Sequence, residues 1–260
     1  MQNRWFFRRQ MVMVLVLSAL MAGCAGKTLV GSGVPREKTL EIASRTIDET
    51  DRIVATAQME LTTAQGYYPV RVALILQKPS WIRLEMLPVI GTPDFFLTAT
   101  PDEMRIFIPS KSEFYSGKPS AENLARFLPW AFNIEDIVMI FSGTYPRLPG
   151  GNLSHKQHME DALLCLEMTA PGGESQTIWL AQNGQPAKLV RKGADGKNIY
   201  HVQYEDYMSG NPVARRITVK MADQVTSIAV KYSDINIEKA TDMSIFTLPV
   251  AAGIKTIQMD

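Results

Sequence analysis

The sequence predicts a mainly β fold with a small helical insertion, and three observations predict it. From Ile53 onward, apolar residues recur at every second position, the period of a sheet with one covered face. Turn residues punctuate these runs about every 10 to 12 residues, a spacing that suits an antiparallel barrel or sandwich better than an α/β fold. Between two sets of strands, residues 119–141 switch to the period of a helix.

The chain opens with Arg4, Arg8 and Arg9, no acid among its first ten residues, and an uncharged apolar run from Met11 to Ala22. These are the n-region and h-region of a secretory signal. A run of about 12 residues is too short for a membrane-spanning helix, which needs roughly 20. Ala22 and Gly23 lead into Cys24, a spacing that resembles the lipobox of bacterial lipoproteins, with Met21 where that motif usually has leucine. The resemblance implies that residues 1–23 are removed and that Cys24 is acylated as the first mature residue. Residues 24–34, rich in small residues and glycine, then form a flexible tether, and residues 35–260 form one domain.

Removing the three arginines takes the formal charge from +1 to −2, so no basic excess points to nucleic acid. The chain has two cysteines. With Cys24 used for the anchor, Cys165 has no intrachain partner, which excludes a disulfide scaffold. Its apolar surroundings, Ala162 to Met168, predict a small buried side chain rather than a reactive thiol.

Pro35 opens an amphipathic segment, with Leu40, Ala43, Ser44 and Ile47 on one face, that predicts a helix over about 35–50. The strands follow. Ala57, Met59 and Leu61 alternate with Gln58 and Glu60; Val70, Val72, Leu74 and Leu76 alternate with Arg71, Ala73, Ile75 and Gln77. Ile82, Leu84 and Met86 oppose Trp81, Arg83 and Glu85, and Met104, Ile106 and Ile108 oppose Glu103, Arg105 and Phe107. Ser120 then starts a helical segment with Leu124, Phe127 and Leu128 on one face. Asn133 caps another in which Ile134, Ile137, Val138 and Phe141 share a face, Asp136 is placed to answer the cap, and Gly143 ends the helix. Strand patterns resume near residues 162, 175, 186, 198, 212 and 225, the fifth of these runs carrying Ile217, Val219 and Met221 inward.

Motifs for chemistry are sparse. No nucleophile elbow, dinucleotide fingerprint or phosphate-binding loop occurs. His155 and His158, with Glu160 and Asp161 nearby, would share a face only in a helix; the polar stretch after Gly150 and Gly151 predicts solvated loop histidines, and no metal or cofactor is assigned. Ten of the 14 methionines belong to the mature chain, several on the inward faces, and methionine conforms to irregular apolar shapes such as lipid chains. The loop from Leu87 to Pro93 is apolar and bracketed by prolines. Because Asp94, Phe95 and Phe96 follow at once, it is expected to tuck over the core rather than face a membrane or partner.

The lipobox, the N-terminal amphipathic helix, the strand run Pro79-Ser80-Trp81-Ile82-Arg83-Leu84-Glu85, the proline- and glycine-containing loop, a strand ending in Phe114-Tyr115-Ser116-Gly117, the helical insertion and the closing Phe246-Thr247-Leu248-Pro249 come in a definite order. That order resembles the LolA/LolB-like superfamily of lipoprotein carriers and receptors, in particular its outer-membrane lipoprotein branch. The resemblance implies an incomplete antiparallel β-barrel, here of about 10 to 11 strands, with helices covering its concave face. The helices would act as a lid over an apolar cavity for a lipid or for lipoprotein acyl chains, lined by the inward residues named above. It also implies that an exposed apolar loop residue meets membrane or cargo, a position occupied here by Val89 and Ile90. Ala25, rather than aspartate, after the anchor favours the outer membrane, facing the periplasm. The expected function is non-enzymatic lipid or acyl-chain binding; the alternative is a structural lipoprotein that tethers an envelope protein partner without any ligand.

Overall fold

The computed structural model describes residues 47–128, 132–250 and 252–260. Cys24, the signal segment, the tether and residues 35–46 of the expected first helix lie outside the described residues; Ile47–Thr50, the end of that helix as expected, form a turn into the first strand.

The alternating pattern builds one antiparallel sheet in two meanders. The first contains β1 (Asp51–Thr63), β2 (Gly66–Gln77), β3 (Trp81–Leu87), β4 (Phe96–Ala99), β5 (Met104–Ile108) and β6 (Glu113–Gly117). The second contains β7 (Ser154–Glu160), β8 (Leu163–Thr169), β9 (Ser175–Leu180), β10 (Pro186–Lys192), β11 (Asn198–Tyr207), β12 (Ala214–Met221) and β13 (Ser227–Lys239). The meanders join where β1 pairs with β13, from Asp51↔Lys239 to Thr62↔Ser227. With β14 (Thr256–Gln258) parallel to β6, the sheet holds 14 strands in the order β14-β6-β5-β4-β3-β2-β1-β13-β12-β11-β10-β9-β8-β7. It does not close: β7 and β14 are its two ends.

Three of these strands have no counterpart in the sequence reading. Phe96–Ala99 has no alternation because both its faces are covered: Leu97, Thr98 and Ala99 are all buried. Ser154–Glu160 is an edge strand exposed along nearly its whole length, so it needs no apolar face, and the expected histidine loop is a strand instead. Thr256–Gln258 is only three residues long.

Ile53, Val72, Leu74, Ile82, Leu84, Met104 and Ile106 face the concave side and join one continuous core. On the convex side, three alternating arginines hold a C-terminal strap. Arg52 donates to the Asp242 carbonyl at 3.1 Å, Arg83 to Ile245 at 2.9 Å and Arg105 to Leu248 at 3.2 Å. Phe246 packs on Trp81 with ring centroids 5.5 Å apart. The chain then turns around the edge of β6, where Met259 N–H donates to the Ser116 carbonyl at 2.7 Å and Asn123 Nδ2 donates to the Asp260 backbone oxygen at 2.6 Å. This wrap covers a sheet edge that would otherwise offer unpaired backbone groups.

Candidate functional site

The helical insertion between β6 and β7 supplies the lid. Helix α1 (Ala121–Ala125) is capped by Ser120, whose side chain accepts from Asn123 N–H at 3.2 Å, and helix α2 (Ile134–Phe141) by Asn133, whose Oδ1 accepts from Asp136 N–H at 2.7 Å. Both caps are those expected from the sequence. Gly143 ends α2 with φ +74°, and a side chain there would press its Cβ to 3.2 Å from the Val213 Cα.

Helix α2 buries Ile134, Ile137, Val138, Met139, Ile140 and Phe141. Three tyrosine hydroxyls from the sheet hold the helix and the turn after it. Tyr232 donates to the Phe141 carbonyl at 2.8 Å, Tyr204 to the Thr144 carbonyl at 2.6 Å and Tyr200 to Asp136 Oδ2 at 3.2 Å. Burial pushes all three hydroxyls upward in pKa, so they remain protonated donors. Asp136 therefore does not close a capping box as expected; its carboxylate turns down to the sheet instead. Burial pushes its pKa up to about 6, against the opposing pull of Arg191 and the Tyr200 hydrogen bond, with Glu135 and Glu174 adding to the rise. Arg191 is itself buried and held by Glu174 at 2.8 Å and Gln176 at 3.3 Å.

Between α2 and the sheet lies a narrow cavity, too tight to admit a water-sized sphere, lined by Phe132, Ile137, Ile140, Phe141, Val219 and Ile228. Every lining side chain is apolar. Of the inward residues named from the sequence, Met59, Val72, Leu74, Leu76, Ile82, Leu84, Met104, Ile106, Ile137, Phe141, Ile217 and Val219 are buried in the core. Leu61, Met86, Ile108, Phe127 and Met221 are half-buried against it. Among them only Ile137, Phe141 and Val219 border the cavity; the others belong to the same core or pack against it. Phe127 is held edge-on to Tyr115, with ring centroids 4.7 Å apart. Phe132, Ile140 and Ile228 complete the cavity wall and were not singled out by periodicity. A second cavity, of about 460 Å³, is lined by Ile47, Asp48, Glu49, Lys78, Met139, Thr144, Tyr145 and Arg147. Its lining is of mixed polarity, and burial holds the Lys78 ammonium below its ordinary pKa.

The apolar loop after β3 does not tuck over the core. Val89 is 93% exposed and Ile90 90%. Asp94 explains the difference: its carboxylate accepts from Ser110 N–H at 2.7 Å and from Ser110 Oγ at 2.6 Å, while Phe95 packs on the core, so the base of the loop is fixed and its tip projects. The registers Thr63↔Gly66, Arg71↔Leu87 and Thr62↔Ser227 place the β1–β2 turn, this loop and the β12–β13 turn at the same end of the sheet. Exposed Tyr67, Tyr68 and Val225 therefore share that rim with Val89 and Ile90.

No family model matches the sequence, and no curated protein matches it. Solved structures do match the fold. A LolA superfamily protein from Nitrosomonas europaea superposes with a TM-score of 0.56 at 18% identity, covering 83% of this chain and 99% of that one. The fold is LolA-like. A domain from Vibrio parahaemolyticus whose given name ties it to outer-membrane lipoprotein sorting superposes with a TM-score of 0.57 at 19% identity, covering 81% and 96% of the two chains. A DUF1329 family protein from Desulfovibrio piger gives 0.58 at 13% identity, covering 82% and 97%. In this LolA-like chain, an open antiparallel sheet curls around a helical lid, as the order of sequence motifs implies.

Proposed function

We propose that this chain is a non-enzymatic envelope lipoprotein, anchored through Cys24 at the outer membrane and facing the periplasm, that takes up a lipid or the acyl chains of a lipoprotein between α2 and the sheet. The single observation that carries this reading is the all-apolar cavity under a short, separately capped lid on a LolA-like sheet. Each buried methylene contributes about 0.8 kcal/mol, so about ten of them would retain a chain firmly. Admitting one requires α2 to lift, because the closed cavity has no room for even a water-sized sphere, whereas small-molecule sites begin at roughly 300 Å³. The exposed Val89 and Ile90 would meet the membrane or the cargo lipid while the lid is open.

The same small volume favours a second reading, a structural lipoprotein that tethers an envelope protein partner and carries no ligand. The two are separated by purifying Cys24→Ala protein, which lacks its own anchor, and measuring co-purified lipid by mass spectrometry together with binding of a fluorescent fatty-acyl probe. Carriage predicts bound lipid, probe binding, and loss of probe binding when Ile137→Trp fills the cavity. No lipid and no probe binding, with a partner recovered by crosslinking in cells, would replace it by the tethering role.

A further inference from the structure

The convex face of the β7–β8 hairpin, on the side of the sheet away from the lid, carries a second cluster of chemistry-bearing side chains. In a strand, His155 and His158 point to opposite faces, so they do not act together; β8 supplies the missing donor instead. His158 pairs directly with Cys165 across the ladder, Glu160 lies two residues further along the same face, and Cys165 pairs in turn with Trp179 on β9. One nitrogen of His158, one oxygen of Glu160 and the Cys165 sulfur all lie within 4.8 Å of one another. Cys165 is 1% exposed, whereas the His158 and Glu160 side chains are about half exposed and form the solvent side of the cluster.

We infer that His158, Glu160 and Cys165 form a binding site for one divalent transition-metal ion of the zinc class. One nitrogen, one sulfur and one oxygen donor make a set suited to zinc. Four-coordinate zinc, with bonds of about 2.0 to 2.3 Å, holds its donors roughly 3.5 Å apart. Rotation of the two exposed side chains closes the remaining distance, while paired strands hold the cysteine. The fourth position falls to water; Glu167 Oε1 lies 3.9 Å from His158 Nδ1, whereas Glu160 faces Nε2, so Glu167 is placed to accept from the ring nitrogen that does not bind the metal. On binding, the metal displaces the thiol proton to solvent and forms one metal–sulfur bond. The thiolate and the Glu160 carboxylate together neutralise the dication, and the imidazole binds neutral. The outer partner is already in place: Trp179 Nε1–H donates to Glu160 Oε2 at 2.8 Å and Lys188 Nζ sits 4.4 Å over the Trp179 ring, so the indole orients the carboxylate as groups around metal ligands do. The site lies outside the lid and its cavity and stands whether or not the protein carries lipid.

Co²⁺ alone is the probe, on the full chain carrying Cys24→Ala, in which Cys165 is the one remaining thiol. The expected result is one equivalent bound with a thiolate-to-cobalt charge-transfer band and tetrahedral visible bands, displaced by Zn²⁺. Cys165→Ser should abolish the charge-transfer band. His158→Gln and Glu160→Gln alter exposed side chains and leave the fold intact; each should weaken Zn²⁺ binding at least about tenfold, and Trp179→Phe, which removes the orienting N–H, by about tenfold. Absence of a charge-transfer band at one equivalent would overturn the site, as would a band unaffected by both His158→Gln and Glu160→Gln.

Discussion

Replacing Asp136 with asparagine should stabilise the protein at neutral pH and leave it almost unchanged in acid. The Asp136 carboxyl sits in the first turn of α2, faces Tyr200 and Arg191 from the sheet with Glu135 and Glu174 nearby, and has its pKa raised by burial from 3.8 to about 6. A folded-state pKa above the unfolded one means that the native state holds its proton more tightly. This contribution to stability is therefore fully present in acid, below the unfolded value, and is lost as pH rises through about 6. Each pKa unit corresponds to about 1.4 kcal/mol, so the ionised carboxylate costs the folded state about 3 kcal/mol at neutral pH. Asparagine removes that cost, still accepts from the Tyr200 hydroxyl, and leaves the Asn133 cap, which uses the backbone N–H of this residue, untouched. It forfeits about 0.3 to 1 kcal/mol of favourable interaction between a negative charge and the helix N-terminus. The net expectation is about 2 to 3 kcal/mol of added stability near neutral pH and nearly none near pH 4. Denaturant unfolding of both proteins at the two pH values reads the difference directly, because all other titrations cancel in the comparison. If Asp136→Asn were destabilising at neutral pH and neutral in acid, the ionised carboxylate would be a net favourable partner of Arg191, and the assignment of burial as the dominant effect would be wrong.

Gly117→Ala places a Cβ 2.5 Å from the Met259 carbonyl oxygen, so β14 must leave the edge of β6. A loss of about 1 to 3 kcal/mol and faster amide exchange confined to residues 256–259 and their β6 partners are expected, and unchanged exchange there would refute the close approach. Ile137→Ala removes a buried side chain that borders the cavity; it should cost about 2 to 4 kcal/mol in chemical denaturation while increasing uptake of an apolar probe. The double change Val89→Asp with Ile90→Asp alters two fully projecting side chains. It should shift stability by no more than about 0.5 kcal/mol yet sharply reduce co-sedimentation of Cys24→Ala protein with phospholipid vesicles.

What the sequence by itself determined is whatever depends on neighbours along the chain. The two-residue alternation of Val72, Leu74 and Leu76 or of Ile82 and Leu84 picks out the concave face, because a strand side chain has only two directions available. The caps at Ser120 and Asn133 are likewise local, each closing on a backbone N–H three residues away. The LolA-like order of elements was legible for the same reason, although the Lol-type resemblance rather than periodicity supplied the open barrel and its lid. Only the tertiary structure decided which of those inward residues border a cavity, since that depends on where α2 lands on the sheet. It also decided that Asp94 ties down the base of the β3–β4 loop and leaves Val89 and Ile90 projecting, that three tyrosines from β11 and β13 hold the lid region, and that three arginines pin the C-terminal strap. The His158, Glu160 and Cys165 cluster shows the limit most clearly. Nothing in the spacing of these residues marks them as a set; the antiparallel register of β7 against β8 brings the cysteine to the histidine, and strand pairing is a contact between segments that no local pattern encodes.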